Sequence, residues 1–361
     1  MLLGGGHAHL QVLESFRRNP PVACKITLVV DRTDAMYSGM VPGLVAGDYT
    51  APQLSFDLRA WAQAVHADLI IGRAVDFDPQ SKHIALADGT LLPYDLCSWN
   101  IGSTVAGLET PGVREFALAT RPISDFCAQV ILKMRTALAQ SGPNKALRVL
   151  VVGGGAAGVE LAFCLQQRAV AEGARTAQTT ILYSGEHLLP QASTSLRRSI
   201  SRSAQQRGIH LQSKQRVIAV RAKEVETASH QRFPFDLCIW ATGAAAHLEN
   251  GWIPVGTDLQ HENAPGVFAV GDCAQLTFAP NTPKAGVYAV REGPILAHNL
   301  RAALTGNTLR TYQPQADFLT LLNLGNGLGA GSKWGFSFTG KWVQRWKNRI
   351  DGKFSQRFRI T

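Results

Sequence analysis

Val149-Leu150-Val151-Val152-Gly153-Gly154-Gly155-Ala156-Ala157-Gly158-Val159-Glu160 is an apolar run that breaks at a glycine cluster and resumes with helical spacing. A second cluster, Gly4-Gly5-Gly6, follows Leu2-Leu3 at the start of the chain. In a strand–glycine–helix unit the first glycine permits a tight turn and the second lets backbone N–H groups approach a pyrophosphate. The third lets helix and strand pack closely. The helix N-terminus then turns its positive end toward the phosphates. Two such signals predict two dinucleotide sites, and a chain holding two dinucleotides side by side usually moves electrons between them.

The bulk numbers agree. The 361 residues are enough for two or three domains, and 45% apolar residues with 34 glycines fit an α/β protein rich in tight turns. No apolar run approaches the length of a membrane span. Met1-Leu2-Leu3-Gly4 has neither the charged nor the apolar region of a secretion signal, so a cytoplasmic location is expected. The six cysteines are scattered without a C-x-x-C pair, and Cys24, Cys97, Cys164 and Cys238 sit in apolar segments as small core residues. No metal site is expected. The net charge of +10 is uneven: residues 331–361 carry +7, which leaves a nearly neutral body and argues against nucleic acid as a partner.

Along the chain, periodicity predicts a helix from about His9 to Arg18 and a strand over Ile26–Val30 ending at Asp31. The loop Tyr37-Ser38-Gly39-Met40-Val41-Pro42-Gly43 and a helix near Leu54–Val65 follow. Short strands are expected at Ala67–Ile71, Ala74–Asp78, His83–Leu86 and Leu96–Ile101, with Asp88-Gly89 as a hairpin turn. A helix spans Ile123–Gln140, a new βαβ unit begins at Arg148, and its second strand is Thr180–Ser184. The strands Leu237–Ala241 and Val267–Val270 precede a helix over Gly286–Leu304. The first strand is short for its role.

Asp31 stands at the end of the second strand, where an acid can hold both hydroxyls of an adenosine ribose; the alternative is a surface-loop aspartate. The third glycine of the first cluster is replaced by His9, and His7 and His9 also read as satisfied polar residues at a helix start. Val267-Phe268-Ala269-Val270-Gly271-Asp272 is a strand ending in Gly-Asp, which can set a carboxylate on the ribityl chain of a flavin while the glycine admits close approach.

Taken together, these motifs resemble the two-dinucleotide-fold flavoproteins of the pyridine nucleotide-disulfide oxidoreductase superfamily, and within them the type II NADH dehydrogenase-like group. The resemblance rests on Gly4-Gly5-Gly6-His7-Ala8-His9, Asp31, Gly153 to Leu161, Ala241-Thr242-Gly243, Gly271-Asp272 and Lys284 to Gly293. A closer likeness is to the flavoprotein module associated with selenide, water dikinase, carried by the first of these motifs, Tyr37-Ser38-Gly39-Met40 and Trp342 to Asp351. It implies an α/β fold of two Rossmann-like domains, the second inserted in the first. The FAD-binding domain would be residues 1–120 with 236–310, the NAD(P)H-binding domain 121–235, and a basic C-terminal segment 311–361.

By the same resemblance Gly4, Gly6, His7, Ala8, Asp31, Gly102, Gly271, Asp272 and Ala285 would bind FAD. Gly153, Gly155 and Gly158 would bind NAD(P)H. Lys284 would lie beside the isoalloxazine and Glu160 near the nicotinamide; Glu160 also reads as a surface glutamate satisfying first-turn amides. The implied activity is an NAD(P)H dehydrogenase passing hydride to flavin and electrons to a quinone or other small acceptor. Hydride transfer depends on stacking and distance, so no catalytic triad is expected.

Some positions depart from the pattern. Tyr183-Ser184 stands where an acid would bind the second ribose, and no arginine replaces it as a 2′-phosphate partner unless Arg175 reaches across. NADH, NADPH, dual use and weak binding stay open. Arg291-Glu292 occupies the place of a glutamine pair near the quinone, and Asn326 stands where an aspartate is usual. Two other functions therefore stay in view: a redox-sensing partner in selenium metabolism without nicotinamide turnover, and a reductase of a sulfur or selenium species. The latter needs a reactive Cys273 or Cys127.

In the tail, Trp342, Trp346, Ile350, Phe354 and Phe358 recur every four residues among basic residues. On a helix that spacing overshoots a turn by about 40°, so the stripe winds round the axis. Such a segment suits an anionic membrane surface, giving a peripheral location on its inner face, or a helix docked on the body. Gly352 would weaken the helix by roughly 1 kcal/mol.

Overall fold

Leu2–Leu3 is the middle strand of a five-stranded sheet, and two residues serve there because a parallel neighbour flanks each side, Thr27–Val30 on one and Cys97–Trp99 on the other. Val267–Ala269 and Asp68–Ile71 complete that sheet, all parallel. The computed structural model describes residues 1–22, 24–141 and 146–360. A second five-stranded parallel sheet has the order Leu118–Ala119, Leu237–Trp240, Leu147–Val152, Ala177–Leu182, His210–Gln212. Parallel sheets bury both faces. Leu28, Val149, Val151, Ile181, Ile239 and Phe268 are all closed to solvent, which is why these strands read as unbroken apolar runs.

Each glycine cluster joins a central strand to a helix, His7–Arg18 in the first unit and Ala156–Ala171 in the second. The helix His7–Arg18 packs against Gly286–Thr305 on the first sheet. The boundaries expected at 121 and 235 do not follow the hydrogen bonding. Leu118–Ala119 and Leu237–Trp240 pair within the second sheet. They are short apolar segments at connections between the units, and nothing local marks which sheet they join. The Asp88-Gly89 turn leads from His83–Leu86 into Leu91–Pro93, a strand absent from the sequence expectation. Helix His7–Arg18 begins two residues earlier than expected, because Asn100 caps its amides from another strand.

The tail folds. Thr320–Asn323, Gly329–Lys333 and Phe336–Gly340 form an antiparallel sheet that leads into a helix, Lys341–Arg357. The aromatic stripe divides as its winding requires. Phe354 stacks on Tyr37 at 4.5 Å, and Phe358 is buried against Phe56 and Trp61, whose Nε1 donates to the Phe358 carbonyl at 3.0 Å. Trp342, Trp346 and Ile350 remain 53%, 38% and 40% exposed, beside exposed Trp334 and Phe336. The helix is thus docked on one side and bare on the other. Lys347 and Asp351, 8% and 5% exposed, pair at 2.8 Å under it. Among the described residues no helix is long and apolar enough to cross a membrane.

Candidate functional site

The first glycine turn is shaped by contact with its own sheet. Gly4 has φ +90°, and a Cβ there would lie 2.6 Å from the Asn100 carbonyl oxygen. At Gly6 a Cβ would meet Asn100 Oδ1 at 2.3 Å. Asn100 ties the site together: its Oδ1 accepts from the amides of Ala8 (3.1 Å) and His9 (3.2 Å), and its Nδ2 donates to the Val270 carbonyl at 3.0 Å. His9 is a satisfied buried residue, with Nδ1 2.6 Å from the Gly4 carbonyl and Nε2 2.9 Å from Ser98 Oγ. Burial pushes its pKa down to about 4, so it is neutral. His7 sits edge-on to Tyr37 and Phe354 at 5.3 and 5.8 Å; burial lowers its pKa while Asp272 pulls it up.

Gly271, Asp272, Lys284, Ala285, Tyr288 and Glu292 line one small recess at the start of helix Gly286–Thr305. Glu292 Oε2 accepts from the Gly271 amide at 2.6 Å and fixes that turn. Burial pushes its carboxyl up to about 7, against the Gly271 bond and the charge of Lys284. The expected place of Arg291-Glu292 at an acceptor therefore splits, with Arg291 exposed and Glu292 a buried brace. Lys284 Nζ donates to the Ala274 carbonyl and lies 4.4 Å above the Trp252 ring; burial lowers its pKa. Asp272 accepts from Ser103 Oγ at 3.3 Å and pairs with Arg121 at 2.7 Å. Asp31 is exposed with Arg32 3.8 Å away, and Arg32 in turn bonds Asp125 at 2.8 Å. Gly102 has open space where a Cβ would project.

The second turn repeats the logic. Gly153 has φ +129°, and a Cβ would lie 2.1 Å from the Ala241 carbonyl oxygen; at Gly158 it would lie 2.0 Å from the Gly153 carbonyl. Nothing of the protein lies within 4 Å of a Cβ at Gly155, so a dinucleotide backbone has room there. Glu160 is not a surface glutamate satisfying first-turn amides: its Oε1 accepts from the Asn323 amide of the tail sheet at 2.7 Å. Burial pushes its carboxyl up to about 7, with Lys347 pulling the other way. It stands on the second unit, apart from the recess of Asp272 and Lys284. Arg175 does not reach the Tyr183-Ser184 end. It lines a groove with Gln166, Val170, Thr176 and Ala177, at the opposite end of strand Ala177–Leu182. Lys214 comes close to that end, its amide bonding the Gly185 carbonyl and its Nζ lying 3.7 Å from Glu186.

Thiol chemistry finds no support. Cys273 is buried with its Sγ donating to backbone carbonyls, and burial pushes both Cys273 and Cys127 up to about 12. No disulfide joins them, and each remains a free thiol. Arg121, Asn100 and Glu292 are the residues that sequence reasoning missed as parts of this site. Only Glu292 lay in a quoted motif.

A family model described as pyridine nucleotide-disulphide oxidoreductase matches residues 1–293. Demethylphylloquinone reductase NdbB of Synechocystis sp. is 28% identical over 267 residues, 69% of this chain and 64% of that protein. The chain thus spans just under two thirds of that relative's length. Among solved structures, the sulfide:quinone oxidoreductase of Aquifex aeolicus superposes with TM-score 0.81 at 17% identity, over 99% of this chain and 90% of the other. NDH2 of Plasmodium falciparum in complex with NADH gives 0.77 at 15% identity, over 98% and 97%.

Proposed function

The chain belongs to the pyridine nucleotide-disulphide oxidoreductase family, and from that premise we propose that it is an FAD-dependent NAD(P)H oxidoreductase whose acceptor is a quinone or another small molecule. The observation that carries this reading is the pair of glycine turns at the ends of two parallel sheets. Each is closed against its own backbone, and Gly102 and Gly155 leave open space beside them. The quinone reductase named among the relatives supports the acceptor.

When bound, FAD supplies a two-electron carrier between nicotinamide and acceptor. The chain's residues bind and orient. Gly4, Gly6, His7 and Ala8 form the turn over which the ADP half lies, and Asp31 takes the ribose hydroxyls. Asp272 takes the ribityl hydroxyls on a turn that Glu292 holds rigid. Lys284 and Ala285 precede a helix N-terminus whose positive end favours added negative charge on the ring system. Gly153, Gly155 and Gly158 receive NAD(P)H. Glu160, which follows the second glycine turn and accepts from the Asn323 amide, would lie near the nicotinamide.

An anaerobic titration of the flavin-loaded protein tests this. NADH or NADPH is expected to bleach the oxidised flavin absorbance within seconds, and the faster donor is the physiological one. Bleaching by dithionite but by neither nucleotide would overturn the reading in favour of a redox partner without nicotinamide turnover. Nothing in the fold bears on a link to selenide, water dikinase.

The bare face of helix Lys341–Arg357 supports peripheral binding to an anionic membrane. Trp342 and Trp346 stack at 6.2 Å and Phe338 lies 5.9 Å from Trp346, with Lys341, Arg345 and Arg349 exposed around them. Trp342→Ser with Trp346→Ser is expected to cut cosedimentation with phosphatidylserine vesicles at least tenfold. Unchanged binding by that double variant would remove the membrane role.

A further inference from the structure

We propose that the second unit selects the 2′-phosphorylated nicotinamide dinucleotide, with Lys214 as the cation that meets the extra phosphate. The inference rests on the reading above that NAD(P)H lies over the second glycine turn. In an open parallel sheet a dinucleotide binds outside the carboxyl ends of the strands. Its pyrophosphate sits at the glycine turn and its adenosine ribose over the next strand end. Here Leu147–Val152, Ala177–Leu182 and His210–Gln212 lie side by side in that order. Their last residues are in register, Leu182 with Val152 on one side and with Gln212 on the other, so three loops open at one edge of the sheet. The first loop is the glycine turn. The adenosine ribose of a nucleotide lying over it falls on the other two, Tyr183 to Glu186 and Ser213 to Arg216.

A site built for the unphosphorylated ribose sets a carboxylate at the second strand end, where it holds the 2′-hydroxyl and repels a 2′-phosphate. Here Tyr183 stands in that place. It packs so closely on the turn that a Cβ at Gly154 would lie 2.8 Å from its own Cβ, and Ser213 hydrogen-bonds its hydroxyl. Tyr183 is thus tied down between the loops, with Ser184 and Gly185 exposed beyond it. The third loop is closed against the second: the Gln215 amide donates to the Tyr183 carbonyl and the Lys214 amide to the Gly185 carbonyl, each at 3.0 Å. The Lys214 ammonium reaches back to the second loop, 3.7 Å from Glu186. Glu186 is the only carboxylate in the two loops, and it is engaged with Lys214 rather than free for a ribose. Both side chains are largely exposed, 71% and 68%, so their pairing is loose and screened. A phosphate dianion is a stronger partner for that ammonium than one solvated carboxylate. Ser184 supplies a hydroxyl donor on the same loop.

The test titrates the FAD-loaded, oxidised protein with NADP⁺ and with NAD⁺ by calorimetry, so that binding is read without turnover. NADP⁺ is expected to bind at least tenfold more tightly at about 50 mM salt, with the preference shrinking at about 500 mM as the phosphate contact is screened. Lys214→Gln is expected to weaken NADP⁺ 5- to 20-fold and NAD⁺ less than twofold. Glu186→Gln is expected to tighten NADP⁺ two- to threefold, because it frees the ammonium and removes a like charge. Both residues are exposed, so both variants are expected to keep the wild-type unfolding temperature. NAD⁺ binding as tightly as NADP⁺ to the wild type, or equal losses of both in Lys214→Gln, would overturn the proposal. So would a tenfold loss of NAD⁺ in Glu186→Gln, which would make Glu186 the ribose acid. A wild-type chain that binds neither dinucleotide would instead overturn the nicotinamide reading of the second turn.

Discussion

Lys347→Met is expected to destabilise the protein by about 3–5 kcal/mol, the cost of removing one partner from a buried ion pair. Lys347 Nζ bonds the Gly39 carbonyl at 2.7 Å and Asp351 Oδ2 at 2.8 Å, and Asp351 Oδ1 also accepts from Tyr37 Oη at 3.1 Å. Burial alone would lower the Lys347 pKa, but the charges of Glu160 and Asp351 outweigh it and hold the ammonium above its ordinary range. Methionine fills the volume and leaves the Asp351 carboxylate without its cation, with Glu160 deprived of the same charge. The loss therefore depends on pH in a defined sense. Burial already pushes the Glu160 carboxyl up to about 7 with the lysine present, and removing the lysine takes away the charge that lowers it. A group with a raised folded-state pKa is destabilising when ionised, so the Glu160 part of the deficit is largest at pH 8 and shrinks as pH falls below 6. Denaturant unfolding at both pH values measures it. Adding Asp351→Leu should recover at least half of the loss, because the isolated buried charge goes with it. A single variant that loses less than about 1 kcal/mol at pH 8 would mean that the tail helix is not docked as described.

The core of both units was legible because parallel strands bury both faces and so spell themselves as apolar runs ending in glycine. Val149–Val152 and Val267–Val270 are of this kind: a Cβ at Gly153 would lie 2.1 Å from the Ala241 carbonyl oxygen, and one at Gly271 would lie 2.8 Å from Asn100 Nδ2. That Asp31 and Asp272 follow parallel strands was legible from the apolar runs before them. The contacts that tune the site were not, because they join distant parts of the chain. Asn100 reaches the helix start from residues about 90 apart in sequence, Arg121 meets Asp272 across the junction, and Glu160 meets Asn323 of the tail. A lone Asn, Arg or Glu carries no spacing signal for such pairings. The tail shows a middle case. Its four-residue repeat left a membrane-facing helix and a docked helix as alternatives, and the stripe in fact divides, with Phe354 and Phe358 packed and Trp342 and Trp346 exposed. The buried Lys347–Asp351 pair was hidden, because in a basic stretch one lysine looks like the rest.

The two glycines of the second turn separate binding from folding, and their variants are expected to differ accordingly. Gly158→Ala places a Cβ 2.0 Å from the Gly153 carbonyl oxygen, a backbone atom that cannot swing aside, so the helix start must move. A displacement of about 1 Å at a site that depends on stacking costs on the order of 100-fold in rate. Reduction of the flavin by NAD(P)H in stopped flow is therefore expected to slow at least 100-fold, with FAD content and dithionite reduction intact, because the first turn is built from other strands. Gly155→Ala tests the opposite condition. No protein atom lies within 4 Å of its Cβ and its backbone is extended (φ −77°, ψ −179°), so the apo fold has no reason to object. Its methyl group meets only a dinucleotide that approaches the turn closely. The Gly155→Ala protein is expected to unfold at the wild-type temperature and to need roughly 10- to 100-fold more NAD(P)H for half-maximal reduction, about 1.4–2.8 kcal/mol of lost affinity. Wild-type titration by Gly155→Ala would show that no nucleotide passes over this turn, and the second glycine cluster would then be a packing device alone.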